Sequence, residues 1–308
     1  MCLRGTARHG FDTTRALTGV LEPEVTRFVL NPLSGQMVRL PDIDGTKKTI
    51  SCSGMGILTQ SERPNRPPDR YAVAALNDDD DSGQQGFVMR RFLSETGKWE
   101  KLVALPSRLP LSRRMGINQE AVAFAGRLWW VDVSWGAISA DPFSDRPDLR
   151  FVELPRESVT EPMERAHDLG RYRRIGVSEG RLRYAEVSQQ EPFLLRSFAL
   201  DDTGNGWTLE HQVALSRLMV GECFEWKDTP RIGVIDPLNA RVMHLTISNL
   251  VLAVDMGREK ALGCLLTSGD CPDRSFGFLK PCVLPSWLGS CRIPSPGNLS
   301  HDFLEVHV

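Results

Sequence analysis

The sequence has no long apolar run and little net charge. No segment approaches the roughly 18 consecutive apolar residues of a transmembrane helix, and the opening MCLRGTARHGFDTTRALTG has no apolar stretch of signal-peptide length. The net charge of −2 over 308 residues gives no general attraction to nucleic acid or to an anionic membrane. We therefore expect a cytoplasmic or nuclear protein that does not contact membranes.

Patterns of several enzyme and metal-binding classes are also missing. The chain contains no HExxH, GxSxG, GxxxxGK[ST] or GxGxxG pattern, which argues against zinc proteases, serine hydrolases and nucleotide-binding loops. Its 7 cysteines are an odd number in a chain with a sizeable core, so reduced thiols are favoured over a disulfide framework. The last four cysteines are spaced more widely than structural zinc pairs: Cys264, Cys271, Cys282 and Cys291. We predict no metal, no cofactor and no catalytic residue.

A repeated unit of strand, polar turn and strand, often ending in Leu-Pro, extends along most of the chain. The copies are RFVLNPLSGQMVRLP (27–41), FLSETGKWEKLVALP (92–106), ISADPFSDRPDLRFVELP (138–155), FALDDTGNGWTLEHQVAL (198–215) and VIDPLNARVMHLTI (234–247). Repeated antiparallel hairpins are typical of closed or radial all-β folds. We predict a β-propeller-like array of about five or six four-stranded antiparallel sheets.

Two hairpins define their own register. In RIGVSEGRLRYAEV a two-residue Glu-Gly turn pairs Val177 with Leu182. In AVAFAGRLWWVDVS an Ala-Gly turn pairs Val122 with Trp129, and both faces of that hairpin are then largely apolar, as expected between neighbouring sheets. Together with their neighbours, these hairpins predict sheets over about 55–106, 119–155, 173–215 and 231–267.

The two ends of the chain are less regular. The unit that begins at Arg27 resembles the second half of a sheet. Residues 1–26 could supply unusual strands, the C-terminus could complete that sheet, or a preceding piece could be missing. We divide the chain into an uncertain N-terminal segment (1–26), a propeller-like domain (27–269) and an extended, Pro- and Gly-rich tail (270–308) that packs on it.

A family resemblance rests on several of these segments. The run RLWWVDVSWGAISADPFSDRPDLRFVELP (127–155), followed by RRIGVSEGRLRYAEV and WTLEHQVAL, resembles the plant family called domain of unknown function 1618. The segments RIGVIDPLNARVMHL and KPCVLPSWLGSCRIPSPG are similar to its C-terminal portion. The resemblance covers about residues 25–297. It implies a propeller-like fold, in the style of domains attached to F-box proteins but without an F-box, and it implies no established activity or catalytic residues.

Three polar residues precede proline at equivalent places in the repeat. Asn31, Asp141 and Asp236 each stand before a proline at the polar turn. Because the position recurs, we predict that these side chains accept hydrogen bonds from the turn backbone and form no active site. His211 lies in WTLEHQVAL, where alternation places it on the face of Leu209, and we predict a hydrogen-bonded core or edge histidine.

Asp132 supports an alternative hypothesis. It alternates with Val131 and Val133 along one strand and shares a face with Trp130. A polar position on an inner strand could line a central channel, which would make the protein a propeller enzyme, a hydrolase or an oxidase. The structural explanation is a carboxylate that accepts hydrogen bonds from neighbouring backbone N–H groups.

A cluster of arginines supports a third hypothesis. It comprises Arg171, Arg173, Arg174, Arg181 and Arg183. Tyr172 and Tyr184 lie among them and would suit base stacking in an RNA-binding propeller. Nucleic acid is disfavoured as a partner because the chain is net acidic and carries Glu179 and Glu186 nearby.

The hypothesis we favour is a non-enzymatic protein-interaction scaffold. Trp226, in ECFEWKDTP, is an aromatic residue flanked by charge in a predicted loop, which makes it the most plausible partner contact. We predict that Trp226, together with Arg171, Arg173 and Arg174, contacts another protein.

Overall fold

The structure is a computed structural model, and it is built almost entirely from strands and turns. It describes residues 2–8, 24–46, 54–63, 66–78, 86–103, 115–117, 121–160, 169–218, 228–248, 250–266 and 283–295. The helices within these ranges include the short 3₁₀ turns Ile43–Gly45, Arg156–Ser158 and Leu215–Arg217. No helix in the described ranges has the length and apolar character needed to cross a membrane.

The strands form five antiparallel sheets, which we number in chain order. The first contains β1 (Cys2–Arg8), β2 (Glu24–Leu30) and β3 (Met37–Arg39); the second contains β4 (Gly56–Gln60), β5 (Arg70–Asp78), β6 (Phe87–Leu93) and β7 (Lys98–Leu102). The third contains β8 (Val122–Phe124), β9 (Arg127–Asp132), β10 (Gly136–Ala140) and β11 (Arg150–Glu153). The fourth contains β12 (Arg173–Ser178), β13 (Arg181–Val187), β14 (Leu194–Leu200) and β15 (Trp207–Ala214); the fifth contains β16 (Arg231–Ile235), β17 (Val242–Ile247), β18 (Leu250–Asp255) and β19 (Lys260–Leu266).

The sheets follow one another as the repeat predicts. In each sheet the strands are hydrogen-bonded in chain order, and the first strands of successive sheets, β1, β4, β8, β12 and β16, contact one another in turn. The predicted all-β, propeller-like arrangement of antiparallel sheets is therefore confirmed, although no individual sheet closes on itself. Among the described residues the first sheet has three strands. Residues 2–8 supply its first strand, which pairs with β2 from Cys2 opposite Leu30 to Arg8 opposite Glu24.

The two predicted hairpin registers are confirmed. Val177 lies opposite Leu182, and Val122 lies opposite Trp129. In the first hairpin both turn residues have positive φ angles, 49° at Glu179 and 71° at Gly180. This conformation matches the right-handed twist of the flanking strands, which is why a turn of this kind fixes the register locally.

Apolar clusters between successive sheets form the core. Within the described ranges there are four clusters of buried apolar residues, and each one joins a sheet to the next. Trp130, Tyr71 and Tyr184 are the largest side chains that are fully buried in them. The cluster between the first two sheets also contains Ile293, so the C-terminal segment packs against the beginning of the array.

A β-bulge in β15 changes the predicted faces of that strand. Leu209 pairs with Phe198 and His211 pairs with Ser197, which leaves Glu210 as the extra residue. Because adjacent residues of β14 point to opposite faces, the shared face predicted for Leu209 and His211 is wrong. Leu209 is 49% exposed, whereas His211 is partly buried.

Candidate functional site

Arg171, Arg173 and Arg174 of the predicted arginine cluster lie at the start of β12, between the third, fourth and fifth sheets, whereas Arg181 and Arg183 lie on β13 beside the end of β12. Successive residues of a strand point to opposite faces. Accordingly, Arg173 reaches the third sheet, where its Nη1 donates to the carbonyl oxygens of Val133 (2.7 Å) and Ser158 (2.6 Å). Arg174 reaches the fifth sheet, where its Nη1 donates to the carbonyl oxygen of Gly233. The two guanidinium groups therefore tie the fourth sheet to both of its neighbours.

A buried carboxylate network continues from Arg173. Glu186 is 8% exposed, and its Oε2 accepts a 2.8 Å hydrogen bond from the hydroxyl of Tyr184 and lies 3.9 Å from Arg173 Nε. Its Oε1 lies 3.4 Å from Nη1 of Arg196 on β14. Burial, and then the negative charge of Glu186, raise the pKa of Tyr184 well above its ordinary value. The phenol therefore stays protonated and acts as a hydrogen-bond donor to Glu186. This role stabilises the fold and does not suit acid–base chemistry.

Part of the surface considered in the RNA-binding hypothesis is buried. Tyr184 is fully buried and cannot stack on a base. The side chain of Arg183 is 4% exposed and forms an ion pair with Glu210, the bulged residue of β15. Arg181 binds the same carboxylate at 3.0 Å. The suggestion that Tyr184 stacks on bases is therefore wrong, and both arginines have a carboxylate partner within the fold.

The predicted partner contacts separate into two groups. The guanidinium groups of Arg173 and Arg174 are engaged by neighbouring sheets, whereas Arg171 is exposed at the edge of the same region. The backbone N–H of Ile232 donates to the carbonyl oxygen of Arg171 at 2.9 Å, so β16 begins beside Arg171. Trp226 lies outside the described residues.

Asp132 is a buried carboxylate with several donors around it. It is 2% exposed, and its Oδ1 accepts hydrogen bonds from the backbone N–H (2.8 Å) and the hydroxyl (2.5 Å) of Ser134. Its Oδ2 accepts from the backbone N–H of Gly116 at 2.9 Å. Asp132 therefore accepts hydrogen bonds from neighbouring groups, as its structural explanation predicts. The buried carboxylate does not line an open channel.

The three turn residues before proline have the predicted turn role. Asp141 Oδ1 accepts from the backbone N–H of Phe143 at 2.9 Å, and Asp236 Oδ1 accepts from those of Leu238 and Asn239 at 2.8 and 2.9 Å. Asn31 Oδ1 accepts from the backbone N–H groups of Leu33 (3.1 Å) and Ser34 (3.4 Å). These contacts confirm turn chemistry in place of an active site.

Asn31 has a second role that the sequence pattern does not reveal. Its Nδ2 donates to the carbonyl oxygens of Leu288 (2.7 Å) and Cys291 (3.3 Å) in the C-terminal segment. The backbone N–H of Ile293 donates to Gln36 Oε1 at 2.8 Å beside it. The turn between β2 and β3 is therefore the point at which the C-terminal segment is bound.

The described cysteines lie apart from one another. Cys291 is buried in the C-terminal segment, and Cys264 is exposed on β19. Over the described ranges, no group of three His, Cys, Asp or Glu side chains is placed to hold a metal ion. Cys271 and Cys282 lie outside those ranges.

Two solved structures show a distant similarity to the chain. The chain is similar to apo AztD from Citrobacter koseri, with 14% identity over 80% of this chain and 57% of that one, at a TM-score of 0.34. It is similar to a putative 6-phosphogluconolactonase from Bacteroides fragilis, with 11% identity over 81% of this chain and 65% of that one, at a TM-score of 0.41. The chain thus spans less than two thirds of either protein, and we draw no argument from them. No curated protein matches the chain.

The family comparison agrees with the resemblance inferred from the sequence. The matching segment begins at Trp130 in β9 and ends at Leu250 at the start of β18. It includes the arginines of β12, the network around Glu186 and the ion pairs of Glu210. The family model described as protein of unknown function (DUF1618) matches residues 130–250 of the chain.

Proposed function

We propose that the protein is a non-enzymatic protein-interaction scaffold that binds another protein through Arg171, at the start of β12, and through Trp226, which precedes β16 in the sequence. The observation that carries the proposal is the exposure of Arg171 on a rigid part of the framework. Arg173 and Arg174, two and three residues further on, bind carbonyl oxygens of neighbouring sheets, and the side chain of Arg171 is accessible to a partner. Arginine is a frequent interface anchor, and the backbone that carries Arg171 needs little reordering on binding.

The polar groups nearby support a structural scaffold. Asp132, Glu186 and Glu210 accept hydrogen bonds from nearby backbone, hydroxyl or guanidinium groups. Catalytic acids and bases need access to a substrate and a pKa suited to proton transfer. Carboxylates whose acceptor positions are used inside the fold lack that access.

The test is quantitative capture of partners by the tagged full chain from its own cells. We expect Arg171→Glu and Trp226→Ala each to reduce the recovery of one and the same partner by about tenfold or more, as expected for anchor residues. The matched control is Arg241→Glu, because Arg241 is also exposed but lies at the opposite end of β16. Equal recovery of every bound protein with the wild type and both variants would refute the proposed surface.

A further inference from the structure

Among the described residues, no strand pairs with the outer edge of the last strand in each sheet. In chain order these strands are β3, β7, β11, β15 and β19. The backbone N–H and C=O groups along such an edge can bond to another strand, so proteins protect edges by charge, short length or bulges. The five outer strands can therefore be compared with one another as internal controls.

Four of the outer strands carry such protection. β3 is three residues long, and β11 is four residues long with Arg150 and Glu153 at its ends. β7 carries Lys98, Glu100 and Lys101 in five residues. β15 is longer, but it contains the bulged Glu210 in its middle.

β19 differs from the other four. After Lys260 its residues are Ala-Leu-Gly-Cys-Leu-Leu, without a charge. Leu262 is 51% exposed, Leu265 is 66% exposed, and Cys264 is also exposed. A bulge does occur, but it lies at the Lys260 end, where Leu262 is the extra residue between the pairs Val254–Ala261 and Ala253–Gly263. The rest of the strand is a regular apolar edge, of the kind that favours strand addition.

We propose that β19 pairs antiparallel with β19 of a second copy of this chain, so that two fifth sheets join across a two-fold axis near Gly263 and Cys264. This surface is distinct from the one proposed above, and the inference does not depend on that function. An exposed sheet edge selects another strand, because only a strand presents main-chain donors and acceptors at the matching spacing.

The charge pattern selects a second copy in antiparallel orientation. With the two-fold axis at Gly263, Leu262 lies opposite Cys264 of the second copy, and Ala261 lies opposite Leu265, so that uncharged residues face uncharged residues. The two Lys260 side chains then lie at opposite ends of the joined strands. A parallel pair would place them side by side, which is unfavourable for like charges.

The first test is the oligomeric state of the full chain by sedimentation velocity over a range of concentrations. We expect a reversible dimer. Leu265→Lys places a charge on the edge of β19. Because both copies carry the substitution, two lysines enter the interface, and the dimer dissociation constant should rise by about tenfold or more. Leu265 is mostly exposed, so the thermal unfolding of the variant should match that of the wild type.

The matched control is Leu209→Lys. Leu209 is a half-exposed leucine on β15, an outer strand that already carries Glu210 and a bulge. This variant should dimerise like the wild type. A wild type that stays monomeric, or a dimer that Leu265→Lys and Leu209→Lys weaken equally, would overturn the proposal.

Cross-linking locates the contact. Antiparallel pairing with the axis at Gly263 or at Cys264 brings the two Cys264 Cα atoms to within about 8 Å of each other. A short bis-maleimide should therefore link Cys264 to Cys264, as identified by mass spectrometry, and Cys264→Ser should abolish that link. A dimer whose cross-links join only other cysteines would place the interface elsewhere and contradict the inference.

Discussion

Single arginine side chains join successive sheets of this protein. Arg91 of β6 is 5% exposed, and its Nη1 donates to the carbonyl oxygens of Pro142 (2.9 Å) and Ser144 (2.5 Å) in the third sheet. Arg173 and Arg174 do the same for the fourth sheet and its two neighbours. In Arg91 and Arg173 a single Nη1 binds two carbonyl groups, and the planar guanidinium fixes the directions of its N–H donors.

Glu210 provides a prediction at the residue scale. Its carboxylate binds Arg183, whose side chain is 4% exposed, and Arg181. Glu210→Gln would leave a buried guanidinium without its counter-charge, and we expect the free energy of unfolding to fall by about 2–3 kcal/mol. Urea unfolding measures this change, with the slope against denaturant unchanged.

An exposed ion pair serves as the control for Glu210. Arg70 and Glu95 are 3.1 Å apart, and their side chains are 38% and 51% exposed. Glu95→Gln should change the free energy of unfolding by less than about 1 kcal/mol. If the two substitutions had equal effects, burial would not be the reason for the importance of Glu210.

Close packing at a glycine determines how two elements of the third sheet fit together. Gly136 on β10 lies against Phe151 of β11, and a Cβ atom there would be 2.4 Å from Phe151 Cε2 and 2.7 Å from the carbonyl oxygen of Val152. Phe151 in turn packs on Trp135, with ring centroids 4.7 Å apart. β10 and β11 can therefore approach only because residue 136 has no side chain.

Gly136→Ala is the corresponding prediction. The added methyl group must displace the Phe151 ring and the backbone beside it, so the free energy of unfolding should fall by about 2 kcal/mol. Gly289→Ala in the C-terminal segment is the control, because a Cβ atom there meets nothing within 4 Å. Thermal unfolding of the two variants measures the difference, and equal melting temperatures would contradict this account of the packing.

The sequence predicted those elements whose geometry is local. The Glu179-Gly180 turn contains the residue types that its positive φ angles require, so the register of its hairpin was evident. The bulge at Glu210 was not predicted. The bulged residue forms an ion pair with Arg183, which belongs to a different strand, so the sequence of β15 does not indicate it. The roles of Arg173 and Arg174 were missed for a related reason. Their acceptors are main-chain carbonyl groups. Every residue has such a group, so the sequence does not show which residues act as acceptors.

At the scale of the whole molecule, Asn31 joins the beginning of the chain to its end. It is fully buried, and its two side-chain atoms have separate tasks: Oδ1 closes the turn, and Nδ2 binds the carbonyl groups of Leu288 and Cys291. Aspartate stands at the equivalent positions 141 and 236, where one carboxylate oxygen closes the turn and, at 236, the other lies 3.3 Å from His244 Nε2. The contact with the C-terminal segment therefore explains why residue 31 is asparagine. The sequence pattern did not indicate this contact, because the recurring turn already accounted for a polar residue at that position.

Asn31→Asp separates these two tasks. The carboxylate still accepts from the turn backbone, but it loses the donor and places a negative charge beside two carbonyl oxygens. We expect the free energy of unfolding to fall by about 2–3 kcal/mol and proteolytic cleavage between residues 283 and 295 to become faster. Asp141→Asn, which preserves the turn acceptor, should change stability by less than about 0.5 kcal/mol. Unchanged proteolysis of Asn31→Asp would show that the segment is held by other contacts.

The bonds from arginine to main-chain oxygens have a consequence for sequence divergence. Every residue type presents the same carbonyl group, so the segments around Pro142 and Ser158 can exchange side chains and still be bound by Arg91 and Arg173. A mutation in such a segment needs no compensating mutation in the arginine, provided that the backbone keeps its path. The sheets can thus retain their mutual positions while the loops between them acquire new surfaces.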